Sequence, residues 1–330
     1  MAQANLTTTL TPEMATFYDK VFLERLQVET CYDFLTSKKN IPKNSGKVVY
    51  FTRQTAFTAT SGSLTEGTTP TVSAFTAATV SATVATYGKY ADFSDLFALT
   101  TIDAGLKEKV STFGQYAAEV MDTARLYTMV AGATTLFPNG KTPAAANPLT
   151  ALLSTDTFDV ADLRRVVLTL KKNKAPKFEA PAGTLNKGGA YRGVMSSQAY
   201  YDLLGDSTTG AFTAISVSTD AANTKMVRDQ EIKRLAGCDI MESNNMYTEV
   251  SAGAGAITEL AYSNLFAGKD ATIEVDVAGS GNPHIIYKQS GESSTNDPLN
   301  LTNTLAWKVD AWACVVANAN WLINCKSYGL

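Results

Sequence analysis

Residues 55–86 read TAFTATSGSLTEGTTPTVSAFTAATVSATVAT, and their composition differs from that of the rest of the chain. Glu66 is the only charged residue in this segment, although an overall content of 18% charged residues would place about six there. The segment has too few large apolar side chains to form a core and too few charges to be a solvated tail. The strict alternation of residues 80–84 predicts a strand, and the glycines and proline within residues 62–70 predict turns before it.

Two ordinary strands are expected on either side of this neutral segment. Residues 47–57 contain the run VVYF, a composition typical of strands, and residues 87–96 return to aromatic and charged side chains. A long, neutral, threonine-rich hairpin is an aggregation hazard, because an uncharged edge strand is free to pair with other chains. We therefore expect this hairpin to have a specific partner.

Two helices are predicted in the first half of the chain. Thr11 supplies a capping hydroxyl and Pro12 occupies a first helical position, so a helix is expected over residues 12–34. A longer helix over residues 102–134 is predicted from apolar residues spaced three or four apart: Ile102, Leu106, Val110, Phe113, Ala117, Val120, Ala124, Tyr127 and Ala131. At 1.5 Å per residue this helix would be about 45 Å long. The proline-rich residues 138–148 then mark a domain boundary.

The second half mixes helices and strands. A second region begins at about residue 156, where apolar residues at helical spacing predict a helix through Val160, Leu163, Val167 and Leu170. Ser196 and Ser197 predict the start of a short helix to Leu204. Strands are expected at residues 191–195, 238–241, 272–277 and 284–288, and two closing strands at residues 305–325 around the turn of residues 318–320. The fold class predicted from this order is α+β.

Composition excludes several classes of protein. A chain of 330 residues is expected to form two or three subdomains. A net charge of −3 gives no electrostatic basis for generic binding to nucleic acid or anionic membranes. No apolar run is long enough to span a membrane, and the first five residues lack the pattern of a signal peptide, so we expect synthesis in the cytoplasm. The four cysteines show no C-x-x-C spacing and are expected to be free, mostly as small buried side chains.

The catalytic inventory is small. His284 is the only histidine, which excludes sites with several histidine ligands, and a single histidine after Pro283 is expected to be structural. Residues 140–142 resemble the end of a phosphate-binding loop but lack its first glycine, and residues 253–258 lack the third glycine of a dinucleotide fingerprint. Asp92 with Asp95, or Asp103 with Glu108, could form carboxylate pairs, but spacing alone does not bring them together. We therefore predict no enzyme, no cofactor and no metal site.

One cluster of basic residues is open to two interpretations. Its members are Arg164, Arg165, Lys171, Lys172, Lys174 and Lys177. They either complement the negative C-terminal end of the helix dipole or contact a nucleic acid. The first interpretation is the simpler one.

Four separated motifs carry a resemblance to a known family. They are LTEGTTP at residues 64–70, YGKY at 87–90 with SDL at 94–96, GCDIMESNN at 237–245, and DPLN at 297–300 with WK at 307–308. Their ordered set resembles the major capsid proteins of tailed bacteriophages related to coliphage N-four. The resemblance covers nearly the whole chain.

The resemblance implies a Hong Kong 97-type capsid fold with five parts. These are an N-terminal arm with its helix at residues 1–46, an extended β-hairpin loop at 47–90, a first part of the peripheral domain with the spine helix at 91–155, an inserted axial domain at 156–262, and the closing strands of the peripheral domain at 263–330. The hairpin, the long helix and the second region predicted above correspond to the extended loop, the spine helix and the axial domain.

The implied function is assembly. Copies of the chain would form the pentamers and hexamers of an icosahedral head that encloses double-stranded DNA, which they contact non-specifically, and the chain would reside in the virion after assembly in the host bacterial cytoplasm. Separate scaffolding, decoration and portal proteins are further partners that the resemblance allows, and no membrane is involved. On the extended loop, the expected intersubunit contacts are Leu64, Glu66, Thr68, Pro70, Val72 and Phe75.

The single charge of Glu66 is expected either to pair with a basic group of the neighbouring copy or to be solvated at the loop tip. The prototype of the fold class cross-links its subunits through a lysine of the extended loop. Residues 55–86 contain no lysine, so we expect no such bond from this loop. No long helical leader precedes the arm, and a fused scaffolding segment is therefore not expected.

Three alternatives stay open at this point. An encapsulin-like compartment would share the fold and would need a groove for cargo peptides. An α+β hydrolase would need a clustered polar site. A surface adhesin would fit threonine-rich strands but would need an export signal.

Overall fold

The computed structural model describes residues 12–44, 46–54, 63, 66–67, 74–94, 106–141, 152, 156–178, 189–205, 234–251, 259–277, 281–288 and 301–329. The α-helices in these ranges are α1 Pro12–Glu29, α2 Leu106–Gly132, α3 Val160–Lys172 and α4 Ser197–Gly205. Short 3₁₀ turns occupy Tyr32–Leu35, Pro138–Gly140 and Ala319–Trp321.

The described strands are β1 Thr36–Ile41, β2 Val48–Gln54, β3 Ala77–Thr83, β4 Ala85–Ser94, β5 Thr134–Leu136, β6 Tyr191–Ser196, β7 Arg234–Leu235, β8 Cys238–Ser243, β9 Thr248–Ser251, β10 Glu259–Ala267, β11 Thr272–Val277, β12 His284–Lys288, β13 Thr302–Val316 and β14 Leu322–Gly329. Helices and strands are thus mixed along the chain, as the α+β class requires.

The long predicted helix is present as α2, and residues 102–105 of the prediction lie outside the described ranges. One side of α2 packs on α1 and on β13. The buried residues shared by these elements are Phe22, Val110, Ala117, Met121, Leu305, Trp307, Val309 and Trp312. Gly114 lies where α1 approaches most closely, since a Cβ atom there would be 2.8 Å from the carbonyl oxygen of Phe22.

The first helix is shorter than predicted. It ends at Glu29 and a 3₁₀ turn follows, whereas the sequence predicted helix to residue 34. At this break the amides of Cys31 and Tyr32 donate to the carboxylate of Asp122, at 3.2 and 2.9 Å. A side chain of α2, distant in sequence, therefore takes hydrogen bonds that a continuing helix would direct to its own carbonyls.

The later helices follow local capping signals. Asp159 is the N-cap of α3 and accepts a 2.7 Å hydrogen bond from the amide of Asp162. Ser196 precedes α4, and its hydroxyl accepts a 3.0 Å hydrogen bond from the amide of Ala199. The serine pair predicted to start this helix therefore does so.

The first sheet is organised around the 15-residue strand β13. Its residue Leu305 pairs with Ala91 of β4 and with Tyr287 of β12, while Trp312 pairs with Ala85 of β4 and with Asp276 of β11. Strands β12 and β11 therefore lie end to end along one edge of β13, and β4 lies along the other. Strand β1 adds in parallel to β11.

The second sheet contains seven strands in the order β5-β14-β10-β6-β8-β7, with β9 also paired to β10. Helices α3 and α4 contribute to its core through Leu163, Leu170, Ala199 and Leu203, which share a buried cluster with Phe266. The closing strands β13 and β14 were both predicted, but they belong to different sheets. The chain thus crosses from one sheet to the other through the turn at Ala319–Trp321.

Candidate assembly interface

The hairpin that encloses the neutral segment is confirmed at its base. Strands β2 and β3 pair antiparallel over their full lengths, from Val48 opposite Thr83 to Gln54 opposite Ala77, and they form a two-stranded sheet of their own. The amide of Val84 donates a 3.1 Å hydrogen bond to the carbonyl of Lys47. A sheet of two strands has little stability by itself, so contacts with other elements must support it.

The hairpin is anchored on the first sheet by its inner end. Ala82 and Val84 are buried in one cluster with Ile273 and Ala313, and Phe51 packs against that cluster. Lys39 of β1 places its Nζ 5.3 Å from the centre of the Phe51 ring, a cation–π contact. Contacts from three strands of the sheet thus fix the base of the hairpin.

The hairpin exposes large aromatic side chains. Tyr50 of β2 is 68% exposed, and Phe75, which lies within the predicted loop, is 78% exposed. Exposed aromatic side chains of this kind are typical of an interaction surface. A cleft of about 290 Å³ separates the Tyr50–Arg53 side of β2 from Ile273, Asn318 and Trp321.

The predicted contact residues are only partly within the described ranges. Glu66 and Phe75 are described and both are exposed, with Glu66 in a turn beside Gly67, whose φ of 80° suits glycine. Leu64, Thr68, Pro70 and Val72 lie outside the described residues. Glu66 forms no ion pair with a residue that the structure describes.

A buried ionic network joins the arm, the spine helix and the first sheet. The guanidinium of Arg125 on α2 lies 2.8 Å from Glu274 on β11, 3.9 Å from Asp122 and 4.0 Å from Asp33 of the arm. The indole N–H of Trp312 also donates to Glu274. One cation therefore holds together carboxylates from three separate parts of the chain.

Burial changes the protonation of this network. Burial would lower the pKa of Arg125, but the charge and hydrogen bonds of Glu274 outweigh it and the pKa is raised. The pKa of Asp122 is raised because burial outweighs its hydrogen bonds from Tyr32 and Cys31. The pKa of Tyr32 is also raised, first by burial and then by the charge of Asp122. Burial would raise the pKa of Asp33, but the hydrogen bond from Lys38 and the charges of Arg125 and Lys38 outweigh it and the pKa is lowered. Arg125 is thus held charged beside an ionised Asp33.

The turn after α2 forms a second polar cluster. Lys141 forms an ion pair with the buried Asp156, and the amide of Asn139 donates a 3.0 Å hydrogen bond to Asp162. Asp162 also pairs with Arg165 at 2.9 Å. Burial, and then the charge of Asp159, raise the pKa of Asp162 to about 7.

The enzyme candidates that the structure describes are not brought together, and residues 253–258 lie outside the described ranges. Lys141, the lysine of the loop-like residues 140–142, is taken up by Asp156, and His284 lies in β12 opposite Lys308. Asp92 accepts a 2.9 Å hydrogen bond from Thr304 on the neighbouring strand, while Asp95 and Asp103 lie outside the described residues. Within the described ranges no group of three potential metal ligands occurs, and no helix is long and apolar enough to cross a membrane.

The cysteines agree with the sequence analysis. None of the four cysteines forms a disulfide with a described residue, and Cys238 and Cys325 are buried in the core of the second sheet. Burial raises the pKa of both, and it raises the pKa of Cys314 to about 12, so none of these three is a reactive thiolate.

The sequence analysis missed the Arg125 network. Its local signal was weak, because Asp122 and Arg125 lie away from the apolar residues that predicted the spine helix. An acid and a base three residues apart on a helix are typical of an exposed side-chain pair. Nothing in the local sequence indicated that Glu274 would be the buried partner.

Comparison with known proteins rests on structure. The sequence matches no protein-family model and no curated protein. The model is similar to the capsid of Ralstonia phage GP4, with a TM-score of 0.64 and 13% identity over 100% of this chain and 96% of that chain. It is similar to the capsid of cyanophage Pam1 (TM-score 0.65, 12% identity, 99% and 96% covered) and to the acid-stable capsid of Helicobacter pylori bacteriophage KHP30 (0.66, 11%, 91% and 92%).

The chain has the fold of bacteriophage capsid proteins. The predicted Hong Kong 97-type α+β fold class is confirmed. The similarity spans nearly the full length of both chains, so it concerns the whole architecture and not one shared motif.

Proposed function

We propose that the chain is the major capsid protein of a tailed bacteriophage, a non-enzymatic subunit that assembles with copies of itself into the pentamers and hexamers of a head enclosing double-stranded DNA. The observation that carries this proposal is the near full-length similarity to capsids at TM-scores of 0.64 to 0.66. The finer assignment to the coliphage N-four-like family rests on the four sequence motifs. The virion is the proposed location, after assembly in the host cytoplasm.

The five-part division made from the sequence is kept as part of the proposal: arm 1–46, extended loop 47–90, peripheral domain 91–155 and 263–330, and axial domain 156–262. The sheets favour one change to this division at its C-terminal end. Strand β14 pairs with β10 along its length in the second sheet, whereas β13 lies in the first sheet. In this proposal the last strand ties the two domains together, and the extended loop lies on a neighbouring copy.

The exposed apolar side chains of the hairpin support this role. Tyr50 and Phe75 are covered by the neighbouring copy in the proposed shell, and the neutral loop pairs its backbone with that copy. Leu64, Thr68, Pro70 and Val72 remain proposed contacts on the same loop. Many such contacts reinforce one another in a closed shell, so each one alone can be weak.

Electron microscopy of the purified chain tests the proposal. Uniform closed shells that contain DNA when isolated from infected cells are expected. Shells that contain a protein cargo would indicate a compartment, and a persistent monomer would contradict both.

Glu66→Ala tests the pairing of this carboxylate with a basic residue of the next copy, with the exposed Glu108→Ala as a matched control. Unchanged assembly and particle stability in Glu66→Ala would remove that contact from the proposal.

A further inference from the structure

Helix α3 buries one face in the core of the second sheet and exposes the other. The buried face includes Leu163, Val166 and Leu170. The exposed face and the turn that follows carry five basic residues, which we call the basic face: Arg164, Lys171, Lys172, Lys174 and Lys177. Successive positions of an α-helix are 100° apart, so Arg164 and Lys171 project in nearly the same direction and Lys172 lies beside them.

The charge of this segment opposes that of the whole chain. Residues 160–177 contain six basic residues and one acidic residue, a net charge of +5 (6 − 1), in a chain whose net charge is −3. The acidic residue, Asp162, is buried and paired with Arg165, which is not part of the basic face. None of the five residues of the basic face forms an ion pair with a described residue. Lys177 places its Nζ 5.8 Å from the centre of the Tyr191 ring, and the charges of the other four residues are available to an external partner.

The C-terminal turn of α3 also has an unusual backbone conformation at a residue of the basic face. The amide of Ala175 donates to the carbonyl of Leu170 and the amide of Lys174 to that of Lys171, both at 3.0 Å, which is the Schellman pattern of helix termination. Lys174 has a φ of 52°, the left-handed conformation that glycine favours at this position. The chain thus places a lysine of the basic face where backbone geometry alone would select glycine.

The chemistry of the basic face fits a polyanion better than a protein surface. Lysine is depleted in protein–protein interfaces, where aromatic residues are enriched. Leu168, 49% exposed, is the one large apolar side chain that α3 exposes. Duplex DNA carries one negative charge for about every 1.7 Å of its axis, so a helix of thirteen residues, about 20 Å long, can lie along roughly a dozen phosphate charges.

We propose that the basic face of α3 binds the phosphate backbone of duplex DNA without base specificity, and that it lines the DNA-filled interior of the shell. The location inside the shell rests on the proposed function, whereas binding to DNA does not. Lysine chains contact phosphates as mobile point charges, and binding releases the counterions condensed on the duplex. Such contacts hold DNA against the shell wall without selecting a sequence.

The test uses the full-length, unassembled chain and a fluorescent 30-base-pair duplex. The variant Lys171→Gln/Lys172→Gln/Lys174→Gln is compared with Lys43→Gln/Lys47→Gln/Lys288→Gln, which removes the same charge from exposed lysines elsewhere. Affinity is measured by fluorescence anisotropy between 50 and 200 mM salt. Each lost phosphate contact lowers the slope of log K against log salt by about 0.9, so a fall of about two to three is expected for the α3 variant and little change for the control.

Several results would overturn the proposal. One is that the wild-type chain does not bind the duplex at 50 mM salt, and another is that the two triple variants lower the salt slope equally. A third is that polyglutamate binds through the same lysines as tightly as the duplex does, which would indicate an acidic protein partner. Thermal melting of both triples checks their folding, and the single variants Lys171→Gln and Lys172→Gln, each with an expected slope change of about one, replace a triple that does not fold. Failure of the wild-type chain to form shells would refute the proposed function alone. If the wild-type chain forms normal shells and the α3 triple variant keeps the wild-type salt slope of DNA binding, only the proposed role of the basic face is refuted.

Discussion

Replacement of Arg125 by methionine should destabilise the fold more than the loss of any surface charge. The Arg125 side chain is 5% exposed, and two of its nitrogens donate to Glu274, at 2.8 and 3.3 Å. Methionine retains an apolar stem of similar length but removes the cation. Three carboxylates, those of Glu274, Asp122 and Asp33, then share the site without their central positive charge.

The magnitude follows from the burial of the pair. Removal of one partner from a buried, hydrogen-bonded ion pair costs about 3 to 5 kcal/mol, because the other charge stays buried and uncompensated. A domain is stable by only about 5 to 15 kcal/mol, so this loss lowers the ratio of folded to unfolded chains more than a hundredfold. The charge of Arg125 lowers the pKa of Asp33 and of Asp122, so these two carboxylates take up protons more readily in the variant and the deficit should shrink as the pH falls from 7 to about 5.

Urea unfolding of the unassembled chain, followed by tryptophan fluorescence, measures this loss. Lys20→Met is the matched control, since Lys20 lies 3.8 Å from Glu24 on the exposed side of α1 and such a pair contributes at most about 0.5 kcal/mol. A loss below about 1 kcal/mol in Arg125→Met at pH 7, or a deficit that does not depend on pH, would refute the reasoning.

Three further substitutions test other contacts. Gly114→Ala gains about 1 kcal/mol of helix propensity, but its Cβ would lie 2.8 Å from the carbonyl oxygen of Phe22. Overpacking costs about 1 to 3 kcal/mol, so urea unfolding should show a net loss of stability. A gain in stability would contradict the close approach of α1 and α2. Lys174→Gly should stabilise the chain by about 0.5 to 1 kcal/mol, because glycine relieves the left-handed backbone at this position. It should also lower the slope of log K against log salt for DNA binding by about one. If Lys172→Gly changed stability and slope by the same amounts, the turn at Lys174 would have no special role. The melting temperature of Asp162→Asn should rise relative to that of the wild type as the pH increases from 5 to 8. The raised pKa of Asp162 means that the folded state favours its protonated form, so the wild type loses stability as this group ionises. Parallel pH profiles of the two proteins would contradict this prediction.

Local sequence signals predicted the elements whose periodicity is internal. The three- and four-residue spacing of apolar residues identified α2, and alternation identified β11. Local signals failed where a distant residue sets the outcome. Strand β1, with the sequence TSKKNI, has no alternation typical of a half-buried strand and exists because it adds to the edge of β11. The first helix stops at Glu29, and the amides of Cys31 and Tyr32 just after it donate to Asp122 of α2.

The candidate interface divides in the same way. The sequence predicted a neutral hairpin in need of a partner, and the exposure of Tyr50 and Phe75 agrees with it. It gave two interpretations for the basic residues after Asp162, because spacing shows which residues share a helix face but not whether carboxylates elsewhere in the chain neutralise them. The structure shows that the five residues of the basic face have no ionic partner among the described residues.

The sequence by itself determined the α+β class, the long helix, the neutral hairpin and the absence of a site with several histidines, because each depends on the identity and spacing of nearby residues. Only the tertiary structure decided that β13 and β14 separate into two sheets, that Arg125 joins Asp33 to β11, and that the basic face has no ion pair with a described residue. These features depend on pairings between residues far apart in the chain, and many such pairings are compatible with the same local pattern.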